Sequence, residues 1–429
     1  MKKKCLLLST GDTFGAYEYI YRMAKAMLID YEVTLVVKDK RKVDRWIFRI
    51  DVLPPKRFFF KRALNFSKKR FGVKNEIFES NLSYVFSPYN DELIQHVKAD
   101  TIIKSIPFVP DIIISGMTDG FLNTSTLLDL HTRTGAKIFQ VMIDMSLLTG
   151  GCHVVWDCEG FKNNCNNCPA ISNKKFINYA GNNLALKKRN IQQGDFKLLV
   201  IPGWTLHQAT LSAIYENRVK VHSCSIIDTN IFTNANRNIA KQVFGITHGQ
   251  KVIFAGSSNQ KAEVKGRKYF VDALSSMGNE MEENLRKKVV ILMIGFHNEE
   301  DELTRSIQFQ KIFIDFITDY RLLSLAYQAS DVFVCPSLEE GGPMMVAESL
   351  ACGTPVVGFE TGSLFDNSLI ENGVHGYRIK MKDTNELAIA LKKIILLSDT
   401  DFYKMSQNAR NQAVQYSSEK AFLRSFNDI

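Results

Sequence analysis

The sequence predicts an α/β protein of two domains, each built on a parallel sheet with helices packed against it, and three observations carry that prediction. Short apolar, β-branched runs recur along the chain and alternate with amphipathic helical stretches, the pattern of βαβ units. A length of 429 residues with 45% hydrophobic content is enough for two substantial cores. Residues 331–359 read as strand, glycine loop, helix, turn and second strand, which puts a loop at the carboxyl edge of a sheet.

In the first half, residues 5–9, 33–37, 112–115, 138–143, 198–201 and 219–223 read as strands of a Rossmann-like domain, with helical patterns such as 17–29 between them. Residues 252–255, 289–294, 311–316, 332–335 and 356–359 repeat the arrangement in the second half. The boundary falls near 226–233, which gives domains over 1–225 and 226–400 and closing helices over 401–429.

Within DVFVCPSLEEGGPMMVAESLACGTPVVGF, residues 331–336 form a buried strand and 337–342 supply the small and polar residues of a loop. Pro343 suits the first helical position, where a missing N–H costs nothing, so a helix is expected over 343–351. Gly353, Thr354 and Pro355 end it before the next strand. Free helix N–H groups then face the space above the sheet, where open α/β folds bind anions. Glu340 lies in the loop, and Glu348 lies along the helix with its side chain leaning back toward the N-terminus. Carboxylates repel phosphates but accept hydrogen bonds from hydroxyls, so a ligand with both a diphosphate and sugar hydroxyls suits this pair. The alternative is two solvated glutamates beside an ordinary strand–helix join.

The seven residues between Glu340 and Glu348, inside PSLEEGGPMMVAESLACGTPVV, give a spacing that resembles the signature of the group 1 retaining glycosyltransferases. That family has the GT-B fold, two Rossmann-like domains facing across a cleft, and uses nucleotide-sugar donors. KVIFAG at 251–256 resembles the first strand and glycine of its donor domain, and Lys265-Gly266 the lysine–glycine pair that follows. SCSIIDTNIF at 223–232 resembles its linker, with Asp228 and Phe232 in place, and YRLLSLAYQASD at 320–331 the helix before the signature strand. Gly15-Ala16 stands where the family has a glycine-rich loop after the first strand. The resemblance covers most of the chain and is strongest over 223–379. It implies an acceptor-binding first domain, a nucleotide-sugar-binding second domain, and closing helices that cross back to the first.

The reaction so implied breaks a glycosidic bond to a diphosphate, so negative charge grows on the β-phosphate, and fixed donors aimed there lower the barrier. By resemblance the donor-binding residues are Gly15, Lys261, Lys265, Phe316, Ile317, Glu340, Gly341, Gly342, Met344 and Glu348. Lys261, Lys265 and the loop amides serve the phosphates, Glu340 the transferred sugar, Glu348 the ribose, and Phe316 and Ile317 the base. Retention implies same-face attack in which the departing phosphate takes the acceptor proton, so no strong protein base is needed. The catalytic candidates are Glu340, Lys265 and Asp144. Family members with a TGGCH segment usually carry His-Asp ahead of it, whereas this chain has Ile143-Asp144. His153 is a substitute for that imidazole, a structural residue or a metal ligand.

The implied function is transfer of a hexose-type sugar from a UDP- or GDP-sugar to a glycan or polyprenyl-linked acceptor, in bacterial capsule, exopolysaccharide or O-antigen synthesis. A nucleotide-sugar-binding homologue that acts as a complex partner without turnover is the second reading. A nucleotide-sugar epimerase would need acid/base groups near the sugar, and none is identifiable. No strand–helix join carries G-x-G-x-x-G, which disfavours an NAD-dependent dehydrogenase.

Residues 149–169, TGGCHVVWDCEGFKNNCNNCP, contain Cys152, Cys158, Cys165 and Cys168. Four thiolates could close a tetrahedral structural zinc site; redox-labile thiols and unconnected loop cysteines are the other readings. The pattern also resembles a segment in a subset of these transferases that act on bacterial surface polysaccharides. No cofactor is expected for catalysis. Eight cysteines in all, Cys5 and Cys335 among them in expected core strands, favour reduced thiols.

Residues 38–74 hold fourteen Lys or Arg against three Asp, a surplus of eleven that exceeds the whole chain's +9. Trp46, Ile47, Phe48, Phe58, Phe59, Phe60 and Phe66 are interleaved with them. This pattern fits an anionic membrane surface, where each basic residue contributes about 1 kcal/mol; a solvated helix pair whose aromatics fill the core is the alternative. A nucleic-acid partner is disfavoured, since no reader motif accompanies the charge. No apolar run is long enough to span a bilayer, and the apolar stretch at 5–8 is too brief for a signal segment. A cytoplasmic protein, peripheral on the inner face of the plasma membrane, is therefore expected.

Overall fold

The computed structural model describes residues 2–52, 84–87, 90–215, 217–221, 225–256, 262–295 and 301–428. The chain divides into two compact units, one of residues 1–200 and 205–221 and the other of 201–204 and 222–429.

The first unit contains β1 (Lys4–Gly11), β2 (Glu32–Asp39), β3 (Ile47–Arg49), β4 (Val85–Phe86), β5 (Ile112–Ser115), β6 (Lys137–Val141), β7 (Cys152–Val154), β8 (Lys197–Val200) and β9 (Val219–Val221). Seven of these form a parallel sheet in the order β3-β2-β1-β5-β6-β8-β9. Strands β4 and β7 make a separate antiparallel pair. Leu6, Leu7, Leu8, Ile113 and Ile114 are fully buried, because a parallel sheet covered on both faces needs unbroken apolar strands. Helices Gly15–Met27, Thr124–Thr134 and Tyr179–Gln193 belong to this unit. Asn123 caps the second of them by accepting from the Thr126 N–H, which occupies one of the donors every helix start leaves free. Strand order reverses between β1 and β5, so their carboxyl ends flank a switch point.

The second unit contains β10 (Lys251–Gly256), β11 (Val289–Ile294), β12 (Gln310–Ile314), β13 (Val332–Cys335), β14 (Val356–Phe359) and β15 (Gly376–Ile379). They form a parallel sheet in the order β12-β11-β10-β13-β14-β15, with its own switch point between β10 and β13. Asp331, 1% exposed, locks these two strands at their amino ends. Its carboxylate accepts from the Val252 N–H at 2.8 Å and pairs with Arg237 at 2.8 Å, so a buried charge is matched and hydrogen-bonded. Above the sheet, Phe254 lies edge-on to Tyr327 at 5.0 Å and tilted against Phe333 at 5.3 Å.

Several elements differ from expectation. β3, β15 and the β4–β7 pair were not expected from the sequence, and β6 stops at Val141, before Ile143. The signature helix is Met344–Ala351, with Pro343 at its N-cap in an extended conformation (ψ 125°). The closing helices, Asp399–Tyr416 and Glu419–Asn427, group with the second unit. Arg410 fixes the first of them by donating to the carbonyls of Phe232, Ala351 and Thr229.

The front of the basic segment is built into the first unit. Asp12 accepts from the N–H groups of Arg41 and Lys42 at 3.0 Å, and Lys42 pairs with Glu18 at 3.1 Å. Trp46 stacks on Tyr21 at 5.5 Å, and Ile47 is buried in β3. These residues are therefore taken up by the fold, while Phe58, Phe59, Phe60 and Phe66 lie outside the described residues. Among the described residues no helix is long and apolar enough to cross a membrane.

Phe254→Ala, which empties the middle of the aromatic cluster, should destabilise the protein by about 3–5 kcal/mol. Urea unfolding checks it; a loss under 1 kcal/mol would mean the cluster is not a packed core.

Candidate active site

Lys265 and Glu340 meet beyond the carboxyl ends of β10 and β13, at the switch point of the second sheet. Lys265 ends a short turn, Glu263–Lys265, and Gly266 follows at φ +62°. A Cβ on Gly266 would stand 1.8 Å from the Pro336 carbonyl oxygen, so only glycine lets the two loops close on each other. The Leu338 N–H then donates to the Val264 carbonyl at 2.8 Å and stitches them together. The result is a direct ion pair between Lys265 Nζ and Glu340 Oε1.

Ser337 Oγ donates to the same Glu340 oxygen at 3.1 Å, and the Glu340 N–H donates to Thr361 Oγ1 at 3.2 Å. Burial alone would lower the Lys265 pKa, but the charge of Glu340 and their hydrogen bond outweigh it and raise it. The lysine keeps two N–H donors for another ligand, and Oε2 of Glu340 accepts nothing from the described residues.

Gly341 and Gly342 lead from Glu340 into helix Met344–Ala351, which has no side-chain cap, so its first N–H groups have no intrahelical acceptor. A Cβ on Gly256 would lie 3.1 Å from Met345 Cε, which places the helix start over the end of β10. Glu348 is one turn further in, 3% exposed, and accepts from the Tyr327 hydroxyl at 3.2 Å. Phe316, 48% exposed, and Ile317 follow edge strand β12, which lies two strands or about 10 Å from β10. Lys261 lies outside the described residues. In the first unit, Gly15 opens a helix at φ +51°, and a Cβ there would meet nothing within 4 Å.

A second polar cluster stands at the carboxyl edge of the first sheet. Asp119 follows β5 and Asp144 follows β6, and His153 on β7 bonds to both, Nδ1 to Asp144 Oδ2 and Nε2 to Asp119 Oδ2, each at 2.7 Å. Burial pushes the imidazole pKa down, but the charge of Asp144, the hydrogen bonds to both carboxylates and the charge of Asp119 raise it to about 10. His153 is thus an imidazolium that donates from both nitrogens. Asp144, a catalytic candidate from the sequence, spends its other oxygen on the Ser146 N–H at 2.8 Å. Burial would raise its carboxyl, yet His153 and Ser146 hold it below the usual range.

The connecting loop is pinned by Lys187, 2% exposed, which donates to the carbonyls of Ser146 at 2.7 Å and Thr149 at 2.9 Å. Sequence reasoning missed Asp119, Lys187, Ser337 and Thr361. For Asp119 and Thr361 the usable signal is a polar residue just past a parallel strand's carboxyl end; nothing local marks Lys187.

The four loop cysteines lie close enough to feel one another's charge. Cys152 and Cys168 share a hydrogen bond, which together with the N–H groups of Ala170 and Ile171 brings the Cys168 thiol down to about 7 against the opposing effect of burial. Among the described residues no group of three or more His, Cys, Asp or Glu is arranged to hold a metal ion.

Two doubly wound parallel sheets with a lysine, a carboxylate and a helix start at one switch point define an α/β protein of the GT-B fold. Anabaena Alr3699/HepE, solved in complex with UDP and glucose, matches with a TM-score of 0.62 at 15% identity, over 99% of this chain and 98% of that one. Residues 249–396, which include Lys265, Glu340 and Glu348, match the family model described as glycosyl transferases group 1.

A D-inositol 3-phosphate glycosyltransferase of Geodermatophilus obscurus is 32% identical over 99 residues, 23% of this chain and 21% of that protein. The UDP-Gal:alpha-D-GlcNAc-diphosphoundecaprenol alpha-1,3-galactosyltransferase of Escherichia coli is 29% identical over 154 residues, 34% of this chain and 37% of that protein. The chain thus spans less than two fifths of the length of these two curated relatives.

The raised pKa of His153 fixes a sign for stability. Its contribution is present in full below its ordinary value of 6.5 and is lost as pH rises through about 10. Melting temperatures of wild type should therefore fall between pH 7 and 10, and His153→Gln should flatten that fall; parallel curves would show that the imidazolium adds nothing.

Proposed function

We propose that this chain is a glycosyltransferase that moves a hexose-type sugar from a nucleotide-sugar donor to a glycan or polyprenyl-linked acceptor. The observation that carries the reading is the Lys265–Glu340 pair beneath an uncapped helix start at the switch point of the second sheet. The lysine and the amides of Gly341, Gly342 and Met344 suit a diphosphate. The open oxygen of Glu340 suits a hydroxyl of the transferred sugar, Glu348 the ribose, and Phe316 and Ile317 the base. The UDP and glucose of the Anabaena structure and the polyprenyl-linked acceptor of the Escherichia coli relative support these ligand classes.

The chemistry is retaining. An acceptor hydroxyl oxygen attacks the anomeric carbon on the face the diphosphate leaves, the bond from that carbon to the β-phosphate oxygen breaks, and the departing phosphate takes the hydroxyl proton. Lys265 and the helix amides meet the charge that grows on the phosphate, where fixed donors do most for the rate. No step assigned to these residues needs a cofactor. The first unit supplies acceptor binding, and the setting is bacterial surface-polysaccharide synthesis on the cytoplasmic face of the membrane. Ile143 at the position where the family resemblance has histidine favours the second reading, a nucleotide-sugar-binding partner without turnover.

Thermal-shift screening of UDP- and GDP-sugars, followed by transfer of labelled sugar to polyprenyl-linked acceptors, separates the two. Labelled product supports the transferase, and tight donor binding without product supports the binder. With the active pair identified, Glu340→Gln and Lys265→Ala should each lower turnover about 100- to 1000-fold with the fold intact; full turnover in either would displace the site. For the membrane, replacing the basic residues between Lys56 and Arg70, outside the described residues, should release the protein from phosphatidylserine vesicles in a flotation assay. Unchanged flotation would remove the membrane from the proposal.

A further inference from the structure

Resting on the transferase reading, we propose that Asp119 accepts a hydrogen bond from a sugar hydroxyl and that His153 is the positioning residue that aims it. The donor-side roles above use neither residue. Asp119 comes off the carboxyl end of β5 beside the first sheet's switch point, where ligands of open α/β units bind. The three side chains of the cluster are 20% exposed for Asp119, 17% for His153 and 24% for Asp144, so they are held by the fold yet reachable from solvent.

Within this cluster the hydrogen-bond accounting singles out one atom. Both His153 nitrogens are spent on carboxylates, and both Asp144 oxygens are spent, one on His153 and one on the Ser146 N–H. Asp119 gives Oδ2 to His153, and its Oδ1 accepts nothing from the described residues. Its backbone is fixed as well, because Thr10 Oγ1 donates to the Asp119 carbonyl at 3.0 Å. The Tyr17 phenol stands close enough to feel the charges of Asp119 and Asp144.

The chain of support runs backward from that atom. His153 holds Asp119, Asp144 holds His153, and Lys187 fixes the carbonyls of the loop that carries Asp144 to β7. A carboxylate held in one rotamer by a charged donor is a preorganised acceptor, which binds without first losing side-chain freedom. The hydroxyl belongs to the acceptor, whose binding the proposed function assigns to the first unit.

The test measures steady-state kinetics of wild type, Asp119→Asn and His153→Gln with the donor–acceptor pair that wild type turns over, each substrate varied in turn. UDP binding is followed in parallel by calorimetry, since its contacts are assigned to the second unit. Asp119→Asn, which keeps the shape and loses the charge, should raise the KM of the acceptor about 10- to 100-fold. His153→Gln should raise the same KM by a smaller factor, with UDP affinity within twofold of wild type in both. A rise for the acceptor supports the proposal, and a rise for the donor alone overturns it. Both KM values within twofold in Asp119→Asn overturn the proposal, as does a loss of activity that only tracks a fall in Tm. If wild type transfers no sugar at all, the transferase reading has failed before any variant is compared, so the two failures stay distinct.

Discussion

The approach of Gly266 to the Pro336 carbonyl is the constraint on which the second unit's site depends. At that point the loop after β10 and the loop after β13 touch backbone to backbone, with space for a hydrogen atom and not for a methyl group. The contact brings Lys265 onto Glu340, sets the Val264–Leu338 hydrogen bond, and leaves the helix start open above both. Each of these would shift by an ångström or more if the loops were held apart. The sheet supplies the platform, and Asp331 aligns the same two strands from their other end. Site geometry thus follows from where two strands are fixed at one edge and two loops close at the other.

The two sheets carry polar clusters of similar logic. In each, a charged side chain that leaves a strand at its carboxyl end is held by an oppositely charged partner, Glu340 by Lys265 and Asp119 by His153. Parallel packing explains the location, because all strands point their carboxyl ends the same way and the helices returning behind them leave that edge uncovered at the switch point. The partners differ in one respect that bears on chemistry. Lysine retains donors for an anion, whereas the imidazolium has given both of its own away and leaves only an acceptor.

What the sequence discloses depends on how local the cause is. The buried strands 289–294, 332–335 and 356–359 are legible to the residue, because two covered faces demand an apolar residue at every position. Glu340 is legible because strand, loop and helix follow one another in sequence, and Lys265 and Gly266 only through the family resemblance. The three-residue edge strand β3 is not, since its neighbour determines it and its composition looks like part of a basic segment. Asp119 and Lys187 are hidden for a different reason: their partners lie 34 to 41 residues away, and only the fold brings them together.

The Lys265–Glu340 pair also bears on how the site empties. A lysine that waits bare for a diphosphate would hold the spent nucleotide as firmly as the donor, and turnover would stall on release. Here the carboxylate is tethered in the same pocket and competes for the ammonium as soon as the leaving group drifts away. On the proposed function, Glu340 would then act as an internal counter-anion that restores a neutral pair once the nucleotide leaves. The residue proposed to accept from the sugar would also weaken product inhibition.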